Sequence, residues 1–593
     1  MRRTSFHRAI ARLFIGKDSR LTARQALPAM LEPLESRAHF SVAEPVSLLW
    51  TAVPLTTVTT AAIALAQPAV RTINPASGAI GVSCAAAITA DLKIPNGAVD
   101  VSTLTSSAIY LCRASDGVHV AATINTSGGG DVIVLKPSKA LAAHTKYTFK
   151  VTSGARDIQG VAFTAFSSSF TTGAATAAAS TPVKFKQLPQ TAGAGRNYFC
   201  LTTGPDGRLY AGADNGNIYR FDIKSDGTLS TPTVISAVRQ NNGNVARFIV
   251  GLAFAPGSTA NNPTLWVSHT GTSSLVRGGT EGHNWTSKVS LLTSAKLSTY
   301  RDAVVNLPRS VRDHFTMQLA FGPDGALYFG QASQSAMGRA DLIWGNRSET
   351  LLSGAILRLD TKALGTGTLD AKTKDAGGTY DPAAAGASLT VYAEGVRNAF
   401  DLLWHSNGKL YAPANGSAAG GNTPAGPTGS GVPALTNVAK AETDALFRID
   451  KGGYYGHPNP RRGFHVLNGG NPTSTVDPFE VTDYPVGLKP DARWRKPAYD
   501  FGLHQAPAGV IEYRGGTFGG ALDRAMLVCR YSAGDDIIVL SVGADGVVTR
   551  AQTGLPGLTG LADPVDIVQR PGGLAGLYVI ELAKQRINFL KMA

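Results

Sequence analysis

The feature that most restricts the fold is a short phrase that keeps returning through residues 183–593. It reads Gly204-Pro205-Asp206-Gly207-Arg208-Leu209-Tyr210 and, almost word for word, Gly322-Pro323-Asp324-Gly325-Ala326-Leu327-Tyr328. Looser copies are His405-Ser406-Asn407-Gly408-Lys409-Leu410-Tyr411 and Arg570-Pro571-Gly572-Gly573 leading to Leu577-Tyr578. Two degenerate copies run from Pro256 to Trp266 and from Gly515 to Leu527. Asp-Gly and Asn-Gly supply the positive φ that tight hairpins need, and the following Leu-Tyr opens a strand. Most copies lead to a second β-rich run: Ile218–Phe221, Ile356–Leu359, Leu446–Ile449, Ile537–Leu540 and Ile587–Leu590. Strand, hairpin and strand, six times over, predict a six-bladed β-propeller, an all-β architecture that protects its sheet edges by radial arrangement. The span exceeds the usual allotment of about 40–50 residues per blade. The surplus is expected in loops 361–390, 414–443 and 456–508, and long loops on a rigid scaffold are where function collects.

The 593 residues are too many for one core and suggest two to four domains. Residues 71–173 read as short strands between turn residues, among them Ala87–Leu92, Ala108–Leu111, Asp131–Leu135, Tyr147–Val151 and Ser169–Thr172. About seven such runs in a hundred residues predict an immunoglobulin-like β-sandwich. The phrases Asn74-Pro75-Ala76-Ser77-Gly78-Ala79, Leu135-Lys136-Pro137, Asp157-Ile158-Gln159-Gly160 and Phe170-Thr171-Thr172-Gly173 resemble the bacterial Ig-like domain family of surface-layer proteins. Such domains serve as spacers. A linker is expected at 174–182.

Residues 1–44 read as a leader. A basic stretch from Arg2 to Arg24 precedes Leu31-Glu32-Pro33-Leu34-Glu35-Ser36-Arg37, which resembles the start of many exported planctomycete proteins. This implies an extracellular, cell-surface or periplasmic location, with cell-surface association among the outcomes. Residues 45–70 carry no charge before Arg71, but Pro45, Pro54, Pro68 and a run of threonines favour a linker over a spanning helix. No transmembrane helix is expected.

The net charge of +14 is no nucleic-acid signature once it is located. Eight Lys/Arg against three Asp/Glu in residues 1–40 place +5 in the leader, and the remaining +9 is spread without a basic stripe. No nucleic-acid partner is expected. Charged residues are only 16%, against about a quarter in typical globular domains, as suits a turn-rich all-β chain. Cys84, Cys112, Cys200 and Cys529 lack metal or redox spacing. Cys84 and Cys112 fall in one small domain, where either a disulfide or buried free thiols are open.

Residues 183–593 resemble the soluble glucose/sorbosone dehydrogenase family over nearly their full length. The matching phrases are Asp313-His314 before Leu319–Gly325, Gly354–Arg358, Tyr392-Ala393-Glu394-Gly395-Val396-Arg397-Asn398, Asp444–Ile449 and Gly452-Gly453-Tyr454-Tyr455-Gly456-His457-Pro458. The resemblance implies oxidation of a sugar or related polyol by pyrroloquinoline quinone. It makes His314 the general base and Asp313 its orienting carboxylate, since histidine titrates near neutrality and a neighbouring carboxylate raises its basicity. It also implies Arg397 and Asn398 on the quinone, and the carbonyls of Gly416 and Ser417 on calcium, which takes hard oxygen ligands.

The chain departs from the family pattern at three places. The cofactor-binding Gln expected near Ala246 is absent, and Arg247 is the nearest polar residue. The Lys expected after Leu527-Val528 is absent, leaving Arg530 as the nearby cation. Asp563 and Val565 stand where two arginines are expected before Asp566. With fewer charge-assisted hydrogen bonds, a site holds a tri-anionic quinone less tightly. The alternative is therefore a non-catalytic propeller that binds carbohydrate or cell-surface components. Arg397 has its own alternative, pairing with Glu394 or a loop carboxylate. His457 and His504 either line a pocket or pack in loops, and Gly452, Gly453 and Gly456 are expected to serve turns.

Overall fold

The computed structural model describes residues 65–127, 129–175, 181–271, 283–572 and 574–593. The expected leader, nearly all of the 45–70 linker, and 176–180 of the second linker lie outside the described residues.

Seven strands form the N-terminal sandwich. Ala69–Asn74, Ile88–Lys93, Val132–Pro137 and Ala122–Thr126 make one antiparallel sheet, and Ile109–Arg113, Lys146–Val151 and Phe166–Thr171 make the other. The two sheets enclose Ile88, Leu111, Ile133, Leu135, Phe149 and Phe170. Cys84 and Cys112 are unpaired buried thiols, turned toward the carbonyls of Gly173 and Thr148.

Six further sheets follow in chain order, and their first strands are Tyr198–Thr203, Arg247–Phe254, Thr316–Phe321, Leu403–Trp404, Pro507–Glu512 and Pro564–Gln569. Each first strand packs on the next, and the last packs on the first. An apolar cluster fills each junction. Ile218 and Val267 meet between the first and second sheets, Val289 and Leu357 between the second and third, and Ala393 and Ala412 between the third and fourth. Leu446 and Val528, Leu527 and Val579, and Ile580 and Ala211 fill the remaining three. The sixth sheet is completed from the other end of the unit, where Phe185–Pro189 pairs antiparallel with Arg586–Met592.

The recurring phrase is explained by its own side chains. In the first two copies the Tyr210 and Tyr328 hydroxyls donate to Asp206 (2.8 Å) and Asp324 (3.0 Å), whose other oxygens accept turn amides. Gly207 and Gly325 take φ of 72° and 75°. A Cβ on Gly204 or Gly322 would lie 2.5 Å from the tyrosine ring, so the first glycine is required by contact and the second by conformation.

Buried acids tie the first strands together. Asp566 accepts from the Leu201 amide (2.6 Å) and Asp401 from the Val510 amide (2.8 Å), bridging sixth to first and fourth to fifth sheets. Burial pushes the Asp401 carboxyl up to about 7, and burial with the neighbouring Asp401 pushes Asp566 well above the carboxylate range. Among the described residues no helix is long and apolar enough to cross a membrane.

Of the expected long loops, 361–390 contains a short strand, Leu369–Asp370, that runs parallel to the edge of the second sheet. The 456–508 segment ends in Tyr499–Gly502, the fourth strand of the fourth sheet. Gly452 and Gly456 adopt φ of 73° and 105°, as turn glycines do.

Candidate active site

Three chain segments from the third and fourth sheets meet at one end of the six-sheet unit. Residues 308–315 lead into Thr316–Phe321, residues 332–354 follow Leu327–Gln331, and residues 395–402 connect Leu389–Glu394 to the fourth sheet. Thr316 pairs with Gln331, and Ala355 with Glu394, so all three segments leave the same sheet end. His314 and Arg397, 83 positions apart in the chain, thereby converge on one side chain. The His314 ring lies 4.1 Å from the Trp344 ring, and the Arg397 guanidinium stands 5.4 Å over that same indole. Asp341 fixes the indole by accepting from the Trp344 amide (3.0 Å) and the Ala336 amide (2.9 Å).

His314 has a defined tautomer. Its Nδ1 lies 3.1 Å from the Ser333 carbonyl and 3.0 Å from the Ser333 hydroxyl, and that hydroxyl donates onward to the Ser335 carbonyl (3.0 Å). Both partners are acceptors, so Nδ1 carries the proton and the neutral ring keeps its lone pair on Nε2. Burial, then the Arg397 charge and His457, push the imidazole pKa well below the ordinary range, which keeps the ring neutral. The orienting group is thus Ser333 and not Asp313 as expected. Asp313 is buried with its Oδ1 lacking a partner among the described residues, and burial pushes its carboxyl up.

The Ser333 turn is held from below by Glu349. This buried carboxylate accepts from the Gln334 and Ser335 amides, the Ser335 and Ser353 hydroxyls, and His457 Nε2 (3.0 Å). His457 therefore braces the turn that orients His314.

Arg397 does not pair with Glu394, which binds Arg462 instead. Its Nε donates to the Ala336 carbonyl (3.0 Å), and its Nη1 to the carbonyls of Asn415 (3.3 Å) and Gly416 (3.0 Å). The Asn398 carbonyl accepts from the Asn415 amide, and the Asn398 Oδ1 is buried without a partner among the described residues. The calcium expectation at Gly416 and Ser417 does not fit this arrangement. The Gly416 carbonyl already faces a guanidinium, a like charge to calcium, and the Ser417 carbonyl accepts from the Glu442 amide (2.8 Å). No cluster of three metal-ligating side chains occurs among the described residues.

Sequence reasoning missed the arginines beside His314. Arg309 is buried, and donates to the carbonyls of Ser310 (3.1 Å) and Arg312 (3.0 Å) and to the Thr270 hydroxyl (3.2 Å). Arg312 donates to the Ile343 carbonyl (2.6 Å), and its Nη2 has no partner among the described residues. Arg347 donates to the Arg309 carbonyl (2.8 Å). Burial pulls Arg309 down to about 9, helped by Arg347 and Arg247, and pulls Arg347 down to about 10. Arg312 is lowered by burial as well. None of the three forms a salt bridge with a carboxylate among the described residues; Arg347 is half-buried, but Arg309 and Arg312 are buried, where cations are ordinarily paired. The signal was present in the run Arg309-Ser310-Val311-Arg312-Asp313-His314, three charges in six residues of a chain poor in charge.

The two substitute cations differ. Arg247 donates to His269 Nδ1 (2.6 Å) and the Thr286 carbonyl (2.6 Å), and burial lowers it to about 10. Arg530 is held in a two-pronged ion pair with Asp536 (2.6 and 2.7 Å) and donates to Gln505, so its charge is already matched. A cavity opens beside Arg397, lined by Asn415, Gly416, Glu442, His457, Phe479 and Trp494. The Asn415 Oδ1 and His457 Nδ1 are buried without partners among the described residues.

Residues 196–555 match the family model described as glucose/sorbosone dehydrogenase. The chain belongs to that family. Residues 65–172 match the bacterial Ig-like domain. No curated protein matches. Solved structures similar to this chain include an oxidoreductase described as a glucose dehydrogenase from Thermus thermophilus, at 21% identity over 68% of this chain and 99% of that one, with a TM-score of 0.41. The quinone-bound aldose sugar dehydrogenase of Streptomyces coelicolor is 16% identical over 70% and 100% of the two chains, TM-score 0.43. The quinone domain of a Coprinopsis cinerea pyranose dehydrogenase is 13% identical over 69% and 95%, TM-score 0.46. With scores this low, the assignment rests on the family match. It makes this family member an oxidoreductase-type protein of the sugar dehydrogenase class, with an Ig-like domain ahead of the catalytic-type unit.

Proposed function

We propose that this protein oxidises a sugar or related polyol with a pyrroloquinoline quinone-type cofactor, and that His314 is the general base. The observation that carries the reading is the fixed tautomer of His314 beside unpaired buried arginines. A bound quinone would supply the two-electron acceptor for hydride from the sugar carbon. The residues of the chain do the rest. His314 Nε2, held as the lone-pair nitrogen by Ser333, takes the proton of the sugar hydroxyl. Arg312 and Arg397 place fixed positive charge where an anionic cofactor is drawn, and the orphaned Arg312 Nη2 and Asn398 Oδ1 are the atoms a polar ligand would satisfy. Trp344 makes an apolar floor under both His314 and Arg397 and excludes water from the base. The buried arginines take over the role of the polar and cationic side chains that the family pattern puts at the positions of Ala246, Asp563 and Val565.

The six sheets read as the blades of a closed six-bladed propeller, supported by the ring of apolar clusters and by the pairing of Phe185–Pro189 with the last sheet. The leader supports an exported protein. A second reading, carbohydrate binding without redox chemistry, draws support from the cavity beside Arg397, where Trp494 and Phe479 offer apolar surface to a sugar ring. Titration of the purified protein with pyrroloquinoline quinone tests the choice. A saturable shift of the quinone absorbance band, with sugar-dependent bleaching, is expected. Sugar binding without any quinone response would replace the first reading with the second.

A further inference from the structure

The Ig-like domain does not hang free of the six-sheet unit. One of its sheets lies against the end that carries His314, and the contacts span the fourth, fifth and sixth sheets. Lys136 donates to the carbonyls of Ala533 (2.7 Å) and Gly534 (3.1 Å), beside Asp535 and Asp536. Asn125 donates to Asp563 (3.1 Å). Asp91 accepts from the Ala419 amide (3.2 Å) and forms an ion pair with His504 at 3.3 Å. Arg71 donates to Asn437 (2.5 Å). Val132 and Val134 pack on Ala418 and Ala533.

The strands involved are built for two-sided burial. Ile133 and Leu135 face the sandwich core while Val132 and Val134 face the neighbouring unit, and Thr89 and Asp91 are buried although they point away from the core made by Ile88, Ala90 and Leu92. A spacer domain exposed on both faces would show polar, solvated residues there. Asp131 directly precedes Val132, which packs on Ala418 and Ala533 at this contact. Its carboxylate, buried and braced by Ser127 (2.5 Å), acts through space on Arg312, Asp313, Asp341 and His504.

We propose that the Ig-like domain is a lid on the active-site face, and that its Asp131 supplies to the buried Arg312 the negative charge that an anionic ligand would otherwise bring. Docked domain and anionic cofactor are then competitors, and loading the site requires the domain to lift. The competition rests on the function proposed above; the lid does not. Such a movement need not unfold either unit, because each has its own core.

Hydrogen exchange on the full-length protein tests the lid, and quinone titration tests the competition. Lys136→Glu sets a carboxylate against Asp535 and Asp536 and is expected to raise exchange in 310–316 and 415–420 about tenfold or more, an opening made easier by about 1.4 kcal/mol. Exchange in Lys146–Val151, in the sandwich core, is expected to stay unchanged. Asp131→Asn removes the competing charge without a new repulsion and is expected to tighten quinone binding, with a smaller rise in exchange. If Lys136→Glu unfolds the sandwich, Asp131→Asn and Asp91→Asn read the same peptides. Unchanged exchange at both segments in all folded variants overturns the lid. Quinone binding equally tight in wild type and Asp131→Asn overturns the competition. If no variant binds quinone while exchange still responds, the lid stands and the cofactor reading falls.

Discussion

The two units bury charge in opposite ways. In the sandwich the sheet-to-sheet core is apolar; of the buried carboxylates, Asp157 is met within the domain by Asn96 and the Gln159 and Val161 amides, whereas Asp91 has partners across the contact and Asp131 acts across it on Arg312. In the six-sheet unit, the buried Arg309 and Arg312 and the half-buried Arg347 find carbonyl oxygens and one hydroxyl in place of carboxylates. A scaffold selected for stability alone would not leave guanidinium groups desolvated without carboxylates, since breaking even with an apolar isostere requires good pairing. The difference separates buried charge that is matched by partners from buried guanidinium groups that form no salt bridge among the described residues.

The sharpest attempt to break that contrast is His314→Ala. If the six-sheet site is catalytic, quinone-dependent sugar oxidation is expected to fall by about 10²–10⁴-fold, the usual consequence of removing a general base. The melting temperature should move little. Retained activity in a steady-state assay would remove His314 from the mechanism.

Phe149→Ala addresses the sandwich. Loss of a fully buried phenylalanine is expected to destabilise the domain by about 3–5 kcal/mol. A calorimetric scan should show an early transition from the sandwich and leave the six-sheet transition in place. A single transition that moves as a whole would mean the two units unfold together.

Arg312→Met sharpens the contrast between stability and function. Replacing a buried cation that forms no salt bridge, and whose one hydrogen bond goes to the Ile343 carbonyl, with an apolar side chain of similar volume is expected to change stability by no more than about 1.5 kcal/mol. Quinone affinity should fall in the same variant. A larger loss of stability measured by denaturant unfolding would show that the arginine is structural.

The smallest expected effect is on pH. Burial opposes the charge on His504, but Asp91, then Asp444 and Asp131, outweigh it and raise the imidazole pKa. A raised folded value means the docking contribution is complete below the ordinary histidine pKa and is lost as pH rises through the raised value. Asp91 works in the other direction. Burial opposes its charge, yet His504, Thr72 and the Ala419 amide lower its pKa, so its contribution is lost only as pH falls through that depressed value. Asp444, pushed up to about 6 by burial, faces the same imidazole. Exchange at 415–420, corrected for its intrinsic pH dependence, should therefore rise above neutrality in the wild type. Asp91→Asn should flatten that slope; a slope that persists would assign it to Asp444.

Local chemistry made much of this protein readable from the chain. The turn phrase specified hairpins because the copies at 204–210, 322–328 and 405–411 carry their own reasons: a glycine at positive φ, an Asp or Asn capping the turn, and a tyrosine four residues on to meet that side chain. The seven sandwich strands followed from the same punctuation, and the resemblance singled out Asp313-His314 and Arg397-Asn398, which the fold brings to one end of the third and fourth sheets. Three things were decided only by tertiary structure. The Ser333 contact that fixes the His314 tautomer, the Arg397 contact that occupies the Gly416 carbonyl, and the pairing of Phe185–Pro189 with Arg586–Met592 each join segments with no shared local pattern. The docking of the Ig-like domain lay between these cases. The run Asp131-Val132-Ile133-Val134-Leu135 breaks the alternation of a half-solvated strand, which says that its second face is covered. It cannot say by what, because hydrophobic burial is non-directional, and only the folded arrangement brings Ala418, Ala533 and the site behind them under that face.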